Sequence, residues 1–142
     1  MTSSIQEIIE GFEFLDDWED RYRYVIELGK ELEPLSDDER IDANKVQGCV
    51  SQVWLSRREE KRADGAVILH YKGDSDAHIV RGLVAIVLSQ FSGMPAKDIP
   101  DTDIEAVFRK IGLQENLTPQ RSNGLRSMVE RIKNDARRVM AS

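Results

Sequence analysis

Cys49 is the only cysteine in the chain and lies in the run VQGCVSQVW, from Val46 to Trp54. One thiol cannot close an intramolecular disulfide, and structural zinc sites draw on several Cys and His ligands, so Cys49 acts as a single sulfur. A free cysteine is often no more than a small buried hydrophobe. The flanking residues point elsewhere: Gly48 allows unusual backbone angles and close approach, while Ser51 and Gln52 keep the segment polar ahead of a strand. A thiol on such a loop can exchange sulfur. Its thiolate attacks the outer sulfur of a persulfide on another protein, whose own cysteine leaves as thiolate, with no cofactor at that step. An unperturbed thiol, with a pKa of about 8.5, is only a few per cent ionised at neutral pH, so its pocket or its partner must help deprotonate it.

Other chemistries find less support. A cysteine hydrolase needs a histidine to take the thiol proton. His70 and His78 are the two candidates, one in a strand-like run and one at a helix start, and no hydrolase signature surrounds Cys49. A metal site built from Cys49, His70, His78 and a carboxylate lacks any i, i+3 or i, i+4 pairing of ligand types, so no metal is expected. An iron–sulfur cluster needs more thiolates than one chain offers here. Neither GxxxxGK nor GxGxxG occurs, and Gly93, Gly112 and Gly124 read as turn, cap or packing glycines.

The elements that must position the thiol follow from the pattern of the 142 residues, a length suited to a single domain over 1–142. Net charge of −6 argues against a nucleic-acid partner, and the sequence has no apolar run long enough for a membrane span. The start MTSSIQEIIEG lacks the basic and apolar regions of a signal peptide, so a cytoplasmic location is expected, where a lone thiol stays reduced. Ser4 and Glu7 form a capping box for a helix carrying Ile5, Ile8, Ile9 and Phe12, with Gly11 as its expected end. Asp17 caps a second helix whose stripe, Trp18, Tyr22, Val25, Ile26, Gly29 and Leu32, runs until Pro34. Residues 34–48 read as irregular.

Period-two alternation predicts strands over 52–62 and 66–72, turned at Asp64-Gly65. Gly73-Asp74-Ser75-Asp76 then opens an almost wholly apolar helix, with Asp74 and Asp76 expected at its positive end as caps. Ser92-Gly93 and Pro95 close it. Thr102 to Glu105 reads as another capping box, Gly112 as a helix terminator, and Thr118-Pro119 as the start of a long helix with Leu125, Met128, Val129, Ile132, Ala136 and Val139 inward. The sum is an α+β domain: a small antiparallel sheet of about three strands packed against several helices.

Four segments, taken in order, carry a resemblance that spans nearly the whole chain: WEDRYRYVIELGKEL from Trp18, VQGCVSQVW, GDSDAHIVRGLVA from Gly73, and LTPQRSNGL from Leu117. Together they resemble the SufE family of sulfur acceptors, which includes CsdE. The resemblance implies a SufE/IscU-like fold with the acceptor cysteine on a loop at one end, sheltered until a partner docks. It implies that Cys49 takes sulfane sulfur from a pyridoxal-phosphate-dependent cysteine desulfurase of the SufS or CsdA kind, stimulating it, and delivers the sulfur to an iron–sulfur scaffold such as SufBCD. The cofactor belongs to the partner, and none is expected in this chain. Gly48, Ser51 and Gln52 support the loop, and Asp76 and Arg121 match positions implicated in engaging the desulfurase. The protein is then a covalent sulfur-transfer partner rather than a stand-alone enzyme. The rival from another class is a non-catalytic adaptor that regulates a desulfurase by binding alone.

Overall fold

A computed structural model describes residues 4–49 and 51–141. Val50, inside the thiol segment, lies outside the described residues, as do the chain ends at 1–3 and 142. The α+β architecture expected from the sequence is observed.

Helix α1 (Ile5–Glu13) opens with the reciprocal capping box of Ser4 and Glu7 and buries Ile8, Ile9 and Phe12. It does not end at Gly11. That glycine has a different role, because a Cβ there would overlap the Tyr24 ring of helix α2 (Trp18–Gly29). Phe12 meets the same ring edge-on, with centroids 5.0 Å apart. Asp17 caps α2 by accepting from the Asp20 amide at 2.8 Å, and the helix stops at Gly29, ahead of Pro34.

Strands β1 (Val53–Lys61) and β2 (Val67–Ser75) form an antiparallel hairpin in register from Val53 opposite Ser75 to Lys61 opposite Val67. Gly65 turns it at φ +88°, and the Asp64 carboxylate accepts from the Ala66 amide. A two-residue third strand, β3 (Met94–Pro95), pairs with Leu69 and Ile68 to give the order β1-β2-β3.

The junction between β2 and the helix that follows it also differs from the sequence reading. Strand β2 runs on through Gly73, Asp74 and Ser75, and helix α3 (His78–Phe91) begins only after Ala77, which supplies no side-chain cap. Asp74 therefore caps nothing. It is buried in the sheet and paired with Arg40 at 2.7 Å and Arg81 at 2.9 Å. Buried carboxylates persist where cations compensate them, and that pairing outweighs the helix-start pattern. Helix α4 (Ile104–Ile111) is capped by Asp103, which accepts from the Ala106 amide, while the Thr102 hydroxyl turns back to the Asp98 carbonyl. Gly112 ends α4 in the left-handed region, and a short α5 (Leu113–Asn116) follows that the periodicity did not reveal.

Helix α3 is the centre of the molecule, with ten of its fourteen residues buried, so it has no solvated face to spare. It lies on β2 and crosses α2 where Gly29 meets Gly82. A Cβ on Gly29 would come within 2.7 Å of the Gly82 nitrogen. Helix α6 (Pro119–Ala141) closes the other side through Leu125, Met128, Val129, Ile132 and Ala136. Leu125, Met128, Val129 and Ile132 each contribute about 1.5–3 kcal/mol on burial. Among the described residues no helix is long and apolar enough to cross a membrane.

Candidate functional site

The segment bearing Cys49 is a loop pinched at its base. Val46 donates its amide to the Val53 carbonyl at 2.9 Å, and Lys45 bridges to Trp54, so the chain leaves and re-enters at the edge of β1. Gly48 takes φ +89°, a conformation that favours glycine, and it faces α6 closely enough that a Cβ would meet the Ser127 Oγ at 2.5 Å. On the far side, Gln52 is bound to Asp76: its amide donates to Asp76 Oδ1 at 3.0 Å, its carbonyl accepts from the Asp76 amide at 3.3 Å, and its side-chain Nε2 reaches Oδ2 at 3.5 Å. Asp76 thus does not cap α3. It ties the end of the thiol loop to the β2–α3 junction.

Between these ties the Cys49 side chain is half-buried, and its Sγ donates to the Gly124 carbonyl at 3.6 Å. The sulfur borders a cavity of about 320 Å³ whose wall is apolar where α3 and α6 supply Val80, Leu83 and Met128. The wall is polar where Ser51, Gln120 and Arg121 line it. Burial pushes the Cys49 thiol pKa up. The sulfur is consequently held as a thiol in the free protein.

Of the residues singled out from the sequence, Ser51 and Arg121 share the cavity with Cys49, Gly48 and Gln52 shape its loop, and Asp76 stands one step back, holding Gln52. Arg121 is half-buried in the first turn of α6, where its amide donates to the capping Thr118 hydroxyl. Neither histidine lines the cavity. His70 is bound to Glu60 at 2.7 Å on the hairpin, and His78 is exposed at the start of α3. Among the described residues no group of three or more His, Cys, Asp and Glu could hold a metal ion. Sequence reasoning overlooked Gly124 and Met128 as neighbours of the thiol. Gly124 lies in the LTPQRSNGL segment, but nothing local links it to a residue 75 positions away.

The family model described as "Fe-S metabolism associated domain", SufE, matches residues 6–136. The chain belongs to the SufE family. An uncharacterized SufE-like protein of Rhizobium etli is 58% identical over 135 residues, covering 95% of this chain and 90% of that protein. One from Rhizobium meliloti is 56% identical over 134 residues, covering 94% and 95%. Among solved structures, the solution structure of a hypothetical protein from Thermus thermophilus superposes with a TM-score of 0.70 over 97% of this chain and 96% of that one. At 20% identity that likeness speaks to the fold alone. Membership in SufE associates the chain with iron–sulfur metabolism.

Proposed function

We propose that this SufE-family protein accepts sulfane sulfur on Cys49 from the active-site persulfide of a pyridoxal-phosphate-dependent cysteine desulfurase, stimulates that enzyme by drawing the sulfur off, and delivers it for iron–sulfur cluster assembly, to a scaffold such as SufBCD. The observation that carries the reading is the placement of the lone thiol at a pocketed cavity, on a loop tied at both ends, with no histidine beside it. A nucleophile without an internal base suits a reaction completed by a partner rather than a hydrolysis. Pyridoxal phosphate belongs to that partner.

In the transfer step the Cys49 thiolate attacks the outer sulfur of the donor persulfide. A bond forms between Cys49 Sγ and that sulfur, the donor's sulfur–sulfur bond breaks, and the donor cysteine leaves as thiolate. Because burial disfavours the Cys49 thiolate in the free protein, docking must expose the sulfur or supply a base before attack. The half-buried position of Cys49 beside the cavity would also limit contact of a loaded sulfur with solvent thiols between partners. Arg121, which lines the cavity, and Asp76, which holds Gln52 at the end of the loop, are the residues through which docking would be felt.

Incubation with a cysteine desulfurase and L-cysteine, followed by intact mass measurement, is expected to give a gain of about 32 Da, one sulfur atom, lost in a Cys49→Ser variant. No gain with a competent desulfurase overturns the reading. Full stimulation of the desulfurase by Cys49→Ser would instead establish the adaptor role.

A further inference from the structure

Gly124 stands near the start of α6, where glycine is the poorest helix former after proline. Its φ is not positive, so the backbone does not require glycine. Close packing does not require it either. A Cβ placed on Gly124 would lie 3.5 Å from Cys49 Sγ and 3.9 Å from Cys49 Cβ, and within 4 Å of no other described atom outside its own stretch of helix. Gly82 and Gly29, by contrast, face backbone or side-chain atoms that leave no room for a methyl group. What the absent side chain leaves at Gly124 is space directly beside the sulfur, opening into the cavity lined by Val80, Leu83 and Met128.

We infer that Gly124 is a positioning residue that keeps open the seat for the second sulfur of a Cys49 persulfide. The inference rests on the acceptor reading above and adds the residue that makes the cavity fit the product rather than the bare thiol. The thiol does not need the space, since a methyl at 3.5 Å is an ordinary van der Waals contact. A persulfide extends about 2.05 Å beyond Sγ, and an alanine methyl then competes for the volume that the outer sulfur enters. Gly124 also presents its carbonyl to the sulfur, so the seat combines an apolar wall with one hydrogen-bond acceptor.

The test compares wild-type protein with Gly124→Ala in two states, thiol and persulfide, after loading by a cysteine desulfurase and L-cysteine and removal of the enzyme. Alkylation by iodoacetamide is followed by intact mass. The thiol forms are expected to react at rates within about twofold of each other, and the variant's melting temperature is expected not to fall, since alanine favours the helix. The persulfide of Gly124→Ala is expected to react roughly tenfold faster than that of wild type, because overpacking drives the outer sulfur from its seat. A merely structural role for Gly124 would move both states alike, whereas a seat moves the persulfide alone. Equal persulfide-to-thiol rate ratios in the two proteins, with loading intact, overturn this inference and leave the acceptor reading standing. Wild-type protein that takes no sulfur from a competent desulfurase overturns both.

Discussion

The Asp76 carboxylate accepts the backbone amide of Gln52 at 3.0 Å, while the Asp76 amide donates to the Gln52 carbonyl at 3.3 Å. This reciprocal pair fastens the downstream end of the thiol loop to the turn before α3. Removing the carboxylate in Asp76→Ala leaves the Gln52 amide to solvent at a cost of about 1 kcal/mol, as for a typical exposed bond. The looser loop presents Cys49 more often, so alkylation of the free protein by iodoacetamide should quicken roughly fivefold, with a small fall in melting temperature. An unaltered alkylation rate would show that the tie does not restrain the sulfur.

Cys49 gives the stability of the protein a defined pH dependence. Burial raises its thiol pKa in the folded state, so the folded chain keeps a proton that the unfolded chain loses at about 8.5. The contribution is fully present below that value and is lost as pH rises toward and through the raised one. Tyr24 and Tyr71 are raised too, chiefly by burial, and act in the same direction at higher pH. The part due to the thiol is the difference between wild type and Cys49→Ala. Urea midpoints measured from pH 7 to 10 should fall more steeply for wild type, and parallel curves would refute the assignment.

How far the site could be read in advance depended on whether its contacts are local. Cys49, Gly48, Ser51 and Gln52 are neighbours in sequence, and their chemistry is visible in one short run. The capping box of Ser4 and Glu7, the turn at Gly65 and the helix stop at Gly112 are legible for the same reason, each being complete within a few residues. Asp74 misled because an acid before an apolar helix reads as a cap, whereas two arginines distant in sequence or a turn away make it a buried strand residue. Gly124 and the α6 wall of the cavity were illegible because their meaning comes from a tertiary contact with Cys49. The family resemblance supplied the order of segments but not that juxtaposition.

Gly48 should resist substitution for two separable reasons. Its φ of +89° strains any residue bearing a Cβ, at about 1–2 kcal/mol, and that Cβ would press on the Ser127 hydroxyl at 2.5 Å. Gly48→Ala is therefore expected to lower the chemical-denaturation midpoint and to disturb sulfur loading of Cys49. Adding Ser127→Ala removes the obstacle but leaves the backbone strain, so the double variant should recover part of the loss. Complete recovery would mean that the contact alone explains the glycine, and no recovery that the conformation does.

The upstream approach to the loop is anchored by Arg131, and its loss should be felt at the thiol. The guanidinium donates to the carbonyls of Ala43 at 2.8 Å and Lys45 at 3.3 Å while pairing with Asp135 at 3.3 Å. Asp135 is itself buried and accepts the Tyr71 hydroxyl at 3.0 Å, with Arg57 at 3.5 Å. Lysine keeps the charge but cannot fork to three acceptors, so Arg131→Lys should not rescue the loss in Arg131→Ala, expected at about 1.5–3 kcal/mol. Tyr71→Phe removes one bond from Asp135 and leaves Arg131 in place, at a cost of about 1 kcal/mol. Amide exchange separates the two. Asn44 and Lys45, whose amides bond to Ile41 and Asp42, should exchange faster in both Arg131 variants and not in Tyr71→Phe. Faster alkylation of Cys49 should accompany it, because residues 43–45 lead into the loop; normal exchange in Arg131→Ala would show that the segment is held by other contacts.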